Sequence, residues 1–421
     1  MNRTRFHFAY YILMLFTSVT LMGQEIESTI DDGSSNEYSN DQVPTSIEEI
    51  VQNTAYKPIT GQEKVASDCL ILLKNDGSLA AYELETLSHK WDLSFDDGAY
   101  NKMDNHFRIE NAILYTLSTQ REFLAVDVNT GEKYWKTEIG QQKEITKRYV
   151  TDGQRLPIKG SLIYVASNNT QLYAFDKRNG SLVWNYKLQF PYNNYSPVIN
   201  DDYLLISNAP WVYCFDARTG QAIWQRGFGN VPMYAQLQID AEKAFTASER
   251  NKIYALDIAN NAAIDWEYET EHDSPRIKEN TLLQNGVYYF AARKNGDDPA
   301  TVTALNTADG QVVWKTVLEN DGEEIDTFYA YNDLIVGSTD AAENGFFIID
   351  AKNGEQWKIE SPKEKVLSNI FGMGDELYFI TENFLVSFNL ERKKFDYRAF
   401  EFDDQGKDSF SLHFEIAKAE K

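Results

Sequence analysis

The side chains that could do chemistry are few and scattered. The five histidines, His7, His89, His106, His272 and His413, stand far apart, and no two share metal-ligand spacing. The acidic pairs Asp96-Asp97, Asp201-Asp202, Asp297-Asp298 and Asp403-Asp404 could offer oxygen to calcium, yet none sits in an EF-hand frame, and solvated turns account for them. There is no Gly-x-Ser-x-Gly elbow, no phosphate-binding glycine loop and no Cys-x-x-Cys. No catalytic, cofactor-binding or metal-binding residue is assigned, and no cofactor is expected. One aromatic group is left over. Tyr192 and Tyr195 lie in Phe190-Pro-Tyr-Asn-Asn-Tyr195, Trp211 follows Asn208-Ala-Pro, and Tyr234 follows Val231-Pro-Met. Trp211 is the one Trp outside a repeating column, so these four residues are the candidate binding surface for a peptide or sugar.

What must position them is a repeat. An acidic or amide residue recurs at Glu83, Asp127, Asp176, Asp216, Asp257, Asn306, Asp350 and Asn389. Two residues earlier comes a small or aliphatic residue, such as Ala125, Ala174 or Cys214. Four residues later comes Gly131, Gly180, Gly220, Gly310 or Gly354, with Asn261 once and Leu87 and Lys393 as exceptions. About eight residues later comes an aromatic: Trp91, Trp135, Trp184, Trp224, Trp266, Trp314, Trp357 and Tyr397. The steps between these aromatics are 44, 49, 40, 42, 48, 43 and 40 residues, a period that means propellers, solenoids or arrays. The acid closes a strand and caps a type I turn, and the glycine supplies the positive φ that completes the hairpin. The aromatic opens the outer strand and is large enough to bridge two sheets.

Strands before the acid, such as Leu172-Tyr-Ala-Phe175, are apolar on both faces, which requires a sheet between two similar sheets. The fold class is therefore all-β: an eight-bladed β-propeller of four-stranded antiparallel blades. Two segments compete to supply the missing inner strand of blade 1. Phe410–Ala417 alternates strictly, with Phe410, Leu412, Phe414 and Ile416 on one side; Thr54–Thr60 is the rival.

The pattern Ala-x-Asp-x-x-Thr-Gly-x-x-x-Trp, complete from Ala125 to Trp135 and nearly so from Cys214 to Trp224, resembles the PQQ-like propeller repeat of quinoprotein dehydrogenases and BamB-like envelope proteins. The resemblance implies a non-catalytic exported scaffold that recognises a protein or ligand. A quinoprotein or carbohydrate-active enzyme is the alternative. The vicinal disulfide of the quinoprotein cofactor site has no counterpart, since Cys69 and Cys214 are the only cysteines and fall three blades apart, where two buried free thiols are expected.

The ends fix the expected address. Residues 1–23 pair basic Arg3 and Arg5 with an apolar run from Phe8 to Met22, which reads as a secretory signal, short for a membrane span. The lipobox cysteine of the lipoprotein relatives is replaced by Gln24. Residues 24–56 hold eight acids and no Lys or Arg, and read as a disordered linker ahead of a propeller over 57–421. The net charge of −24 argues against nucleic acid and anionic lipid. The expectation is an exported monomer, periplasmic, outer-membrane-associated or extracellular, with no transmembrane domain after signal cleavage and a protein or peptide partner in the envelope.

Overall fold

The computed structural model describes residues 52–419, apart from short connections of which the longest are 96–105, 140–155 and 403–411. Among the described residues every regular element is a strand, and the strands form eight antiparallel sheets, one per repeat: an eight-bladed β-propeller. The second and third strands of a blade are buried on both faces. Cys69–Leu73 and Ile113–Leu117 have no exposed position at all, as expected for sheets stacked face to face. The apolar interior is accordingly eight cores, one at each seam. One joins Ile71 and Trp91 of blade 1 to Leu124 and Val128 of blade 2, and another joins Leu70 and Tyr82 of blade 1 to Ile380 and Phe400 of blade 8.

The C-terminal strand closes the ring. His413–Ala417 pairs antiparallel with Cys69–Leu73 as the inner strand of blade 1. Leu412, Phe414 and Ile416 turn into the seam with blade 8, and Asn369 of blade 8 clasps the Phe414 backbone with two hydrogen bonds of 2.8 and 2.9 Å. Phe410 lies outside the described residues.

The rival segment has a different place, and the linker boundary moves with it. Gln52–Ala55, assigned to the disordered linker, is a strand added to the outer edge of blade 2, where it pairs with Lys133–Glu138 and makes that sheet five-stranded. Its amides find ladder partners there. Asn53 adds side-chain bonds to the Thr137 hydroxyl at 2.8 Å and the Asn179 carbonyl at 2.9 Å. Lys57 ion-pairs with Asp127 and Glu132. Residues 1–51, which contain the expected signal and most of the linker, lie outside the described residues.

Blade 7 departs in the other direction. Its sheet has three strands, and the outer strand shrinks to a single bridge between Gln356 and Ile349. Pro362 cannot donate to a ladder, and the chain leaves for blade 8, where Lys363 donates its amide to the Tyr397 hydroxyl and Glu364 accepts from Thr381 and Asn383.

Candidate functional site

The repeating aromatics build one device six times over. In blades 1 to 6 the third and outer strands slip register by one residue just after the small residue that faces the Trp, as between Ala125 and Val126 or Cys214 and Phe215. The bulge aims each indole at the next blade. Each indole N–H then donates to the carbonyl one residue past the acid of that blade: Trp91 to Val128 at 2.9 Å, Trp135 to Lys177 at 3.0 Å, Trp184 to Ala217 at 3.3 Å, Trp224 to Ile258 at 2.8 Å, Trp266 to Thr307 at 2.9 Å and Trp314 to Ala351 at 2.9 Å. The glycine column has a second reason beyond its positive φ. A Cβ at Gly220 would stand 2.5 Å from the Trp184 ring, and one at Gly354 would stand 2.7 Å from Trp314.

Blades 7 and 8 differ. Trp357 is half-buried, with the Lys393 ammonium 4.2 Å from its ring centre. Tyr397 is not the bridge to blade 1 that its column suggests. Blade 8 lacks the bulge, so Tyr397 pairs with Val386 while the small-residue position, Ser387, faces Asp396. One residue of slip puts a side chain on the other face of the sheet. Tyr397 therefore packs on Phe384 and the core of blades 7 and 8. Its neighbour Arg398 takes over: the guanidinium donates at 2.6 Å to the carbonyl of Leu84, the residue past the acid of blade 1, and Phe400 meets Tyr82 edge-on at 4.9 Å. The sequence signal was only that the last copy is degenerate.

Of the aromatic surface residues, Tyr192, Tyr195 and Tyr234 lie outside the described residues. Trp211 opens the third strand of blade 4, Trp211–Asp216, and sits opposite Gly227 on the outer strand. Its ring covers Gly227 so closely that a Cβ there would be 3.0 Å away, and it packs half-buried on the core of blades 3 and 4. Trp211 thus has a packing role that the spacing pattern did not reveal. Asp201 is in an ion pair with Lys159, and the other three acidic pairs lie outside the described residues. His89 meets Asp92 at 2.8 Å, and His413 stacks edge-on against Phe107. Cys69 and Cys214 are both buried free thiols, and burial pushes the Cys214 thiol well above its ordinary range. Among the described residues no cluster of three His, Cys, Asp or Glu could hold a metal.

One concave feature is a cavity of about 480 Å³ on the inner strands of blades 7, 8, 1 and 2. Tyr329, Phe371, Glu415 and Arg108 come from those four inner strands in turn, with Asn111 and Lys418 also in the lining. Glu415 is the one carboxylate among its described lining residues. The lining suits binding: two cations, amide and phenol groups, and an apolar wall.

Eight blades to a ring, six of them bulged and locked by indole-to-carbonyl bonds, define the class as a PQQ-like β-propeller. Within that class the chain belongs to the family of outer membrane protein assembly factor BamB, whose model matches residues 120–210 and 208–381. A curated relative of that name from Moranella endobia is 28% identical over 101 residues, which span 24% of this chain and 23% of the relative. The crystal structure of BamB from Moraxella catarrhalis superposes with a TM-score of 0.53 at 16% identity, covering 78% of this chain and 96% of that one. The dihydro-heme d1 dehydrogenase NirN, in complex with DHE, gives 0.57 at 10% identity, covering 82% and 77%. Quinohemoprotein alcohol dehydrogenase ADHIIG from Pseudomonas putida HK5 gives 0.54 at 9%, covering 80% and 72%. At these identities the likeness is one of fold alone.

Proposed function

We propose that this chain is an exported, non-catalytic propeller that serves as a docking scaffold for protein partners in the assembly of outer-membrane proteins. The observation that supports this most is the family match, which runs from the third strand of blade 2 into blade 8 and carries the description of an assembly factor. Residues 1–23 act as the export signal, and residues 24–51 as a tether that reaches the ring at the rim of blade 2. The protein is a monomer in the periplasm or at the outer membrane.

The test is photo-crosslinking in cells, with a benzophenone amino acid at Ile223 or at Val317, exposed outer-strand positions of blades 4 and 6. An outer-membrane assembly protein is expected as the reproducible adduct, and deletion of the chain is expected to lower the level of outer-membrane barrels. No adduct from either position, together with unchanged barrel levels, would remove the scaffold reading.

A further inference from the structure

The chain carries 64 acidic residues against 40 Lys and Arg, so an acid should lie within reach of almost any cation. At several places around the ring this holds. Lys177 pairs with Glu110, Lys57 with Asp127 and Glu132, Lys74 with Asp92, Lys159 with Asp201 and Lys243 with Asp265. Arg226 on the outer strand of blade 4 is one exception among the described residues, and the cavity on the inner strands holds two more. Arg108 is half-buried on the inner strand of blade 2, yet its one hydrogen bond among the described residues is a long one, 3.5 Å, to the Leu156 carbonyl, and among those residues it has no ion pair. Lys418, at the end of the inner strand of blade 1, has no ion-pair partner among the described residues either. Among the described lining residues two positive charges stand against the one of Glu415, on the inner strands of a molecule of charge −24.

A half-buried guanidinium without a counter-charge is costly to keep, and such a group is stabilised when an anion arrives. Low-dielectric walls focus its field toward the mouth. The cavity is within the size range of small-molecule sites, about 300–1,000 Å³. Ile109 and Phe371 offer an apolar wall beside the charges, and Asn111 and Tyr329 add groups able to hydrogen-bond.

We infer that the central cavity is a binding site for a carboxylate carried on a compact apolar body, held by Arg108 and Lys418. The site stands independently of partner docking at the rim. Two sources share this chemistry: a free aromatic or aliphatic acid, and the C-terminus of a peptide with an apolar last residue. Arg108 forms the bidentate contact, and Lys418 at the rim draws the anion in.

The experiment is titration calorimetry on the full mature chain with three probes: benzoate, the tripeptide Ala-Ala-Phe, and the same tripeptide amidated at its C-terminus. Inorganic phosphate is the competitor. At least one free acid is expected to bind, and amidation is expected to weaken the tripeptide about tenfold or more if the tripeptide is the ligand. Binding of benzoate alone assigns the free acid, and binding of Ala-Ala-Phe assigns the peptide terminus. Arg108→Gln should weaken binding about tenfold. Lys418→Glu, an exposed change that leaves the fold intact, should weaken it about tenfold as well, while Lys352→Gln, at an exposed ion pair with Asp333, should change nothing. No binding of either free acid, wild-type affinity in both cavity variants, equal affinity for the amide, or displacement by equimolar phosphate would each overturn the assignment.

Discussion

Gly180 lies where two demands meet. Its φ is +70°, which favours glycine, and the space where its Cβ would go is occupied by the Trp135 ring and the Thr137 hydroxyl. Gly180→Ala should therefore cost about 2–4 kcal/mol, the sum of left-handed strain and overpacking, and lower the melting temperature accordingly. Trp135→Phe keeps most of the ring and loses the N–H bond to Lys177, so it should cost less, about 1–2 kcal/mol. Reversal of that order in denaturant melts would show that the indole does not set the seam. The positive φ at the column position survives in Leu87, Asn261 and Lys393, at 57°, 50° and 53°. The turn is thus fixed even where glycine is absent. Its conformation was legible from the acid and the spacing, whereas the steric role of the glycine needed the neighbouring blade.

The elements at the two ends of the chain have unequal weight. Gln52–Ala55 is exposed at every position and adds one ladder to a blade already complete. His413–Ala417 supplies a strand that blade 1 otherwise lacks, and its Phe414 is fully buried. Ending the chain at Phe402 should abolish cooperative unfolding, because Leu70, Leu72 and the edge of Cys69–Leu73 would lose their cover. Phe414→Ala should fold but lose about 3–5 kcal/mol. Removing residues 24–55 should shift the melt by only a few degrees. Circular dichroism melts of the three chains compare these effects directly, and a cooperative transition in the chain ending at Phe402 would refute the closing role. The alternation from Leu412 to Ile416 made this strand legible. The placement of Gln52–Ala55 was not, since a short polar segment takes whatever rim edge its tether reaches.

Over the whole molecule the acid balance sets the response to pH. Asp176 sits below the ordinary carboxylate range because the Arg178 guanidinium and amide hydrogen-bond to it. At Asp216 burial pushes upward, but the hydroxyl and amide of Thr219 outweigh it and the result is also depressed. A carboxyl depressed by folding contributes stability that is present above its unfolded value of 3.8 and is lost as pH falls through the lower folded value. Asp326 acts the other way: burial raises it, and the Lys365 ammonium at 3.4 Å offsets this only in part. The melting temperature should therefore fall as pH drops below about 4, and Asp216→Asn should flatten that fall. A variant with the wild-type slope would show that the turn carboxylates do not carry the effect.

The repeat by itself determined the architecture, the number of blades and the identity of the turn residues. Those depend on contacts within one hairpin and on a period that every copy repeats. Tertiary structure alone decided which aromatic bridges a seam. In blade 8 the third and outer strands pair without the bulge, so Arg398 rather than Tyr397 reaches the Leu84 carbonyl. It also decided that Trp211 is spent on Gly227, and that Arg108 and Lys418 meet in one cavity. Arg398 and Leu84, like Arg108 and Lys418, come from strands far apart in the chain, and only closure of the ring gives them neighbours.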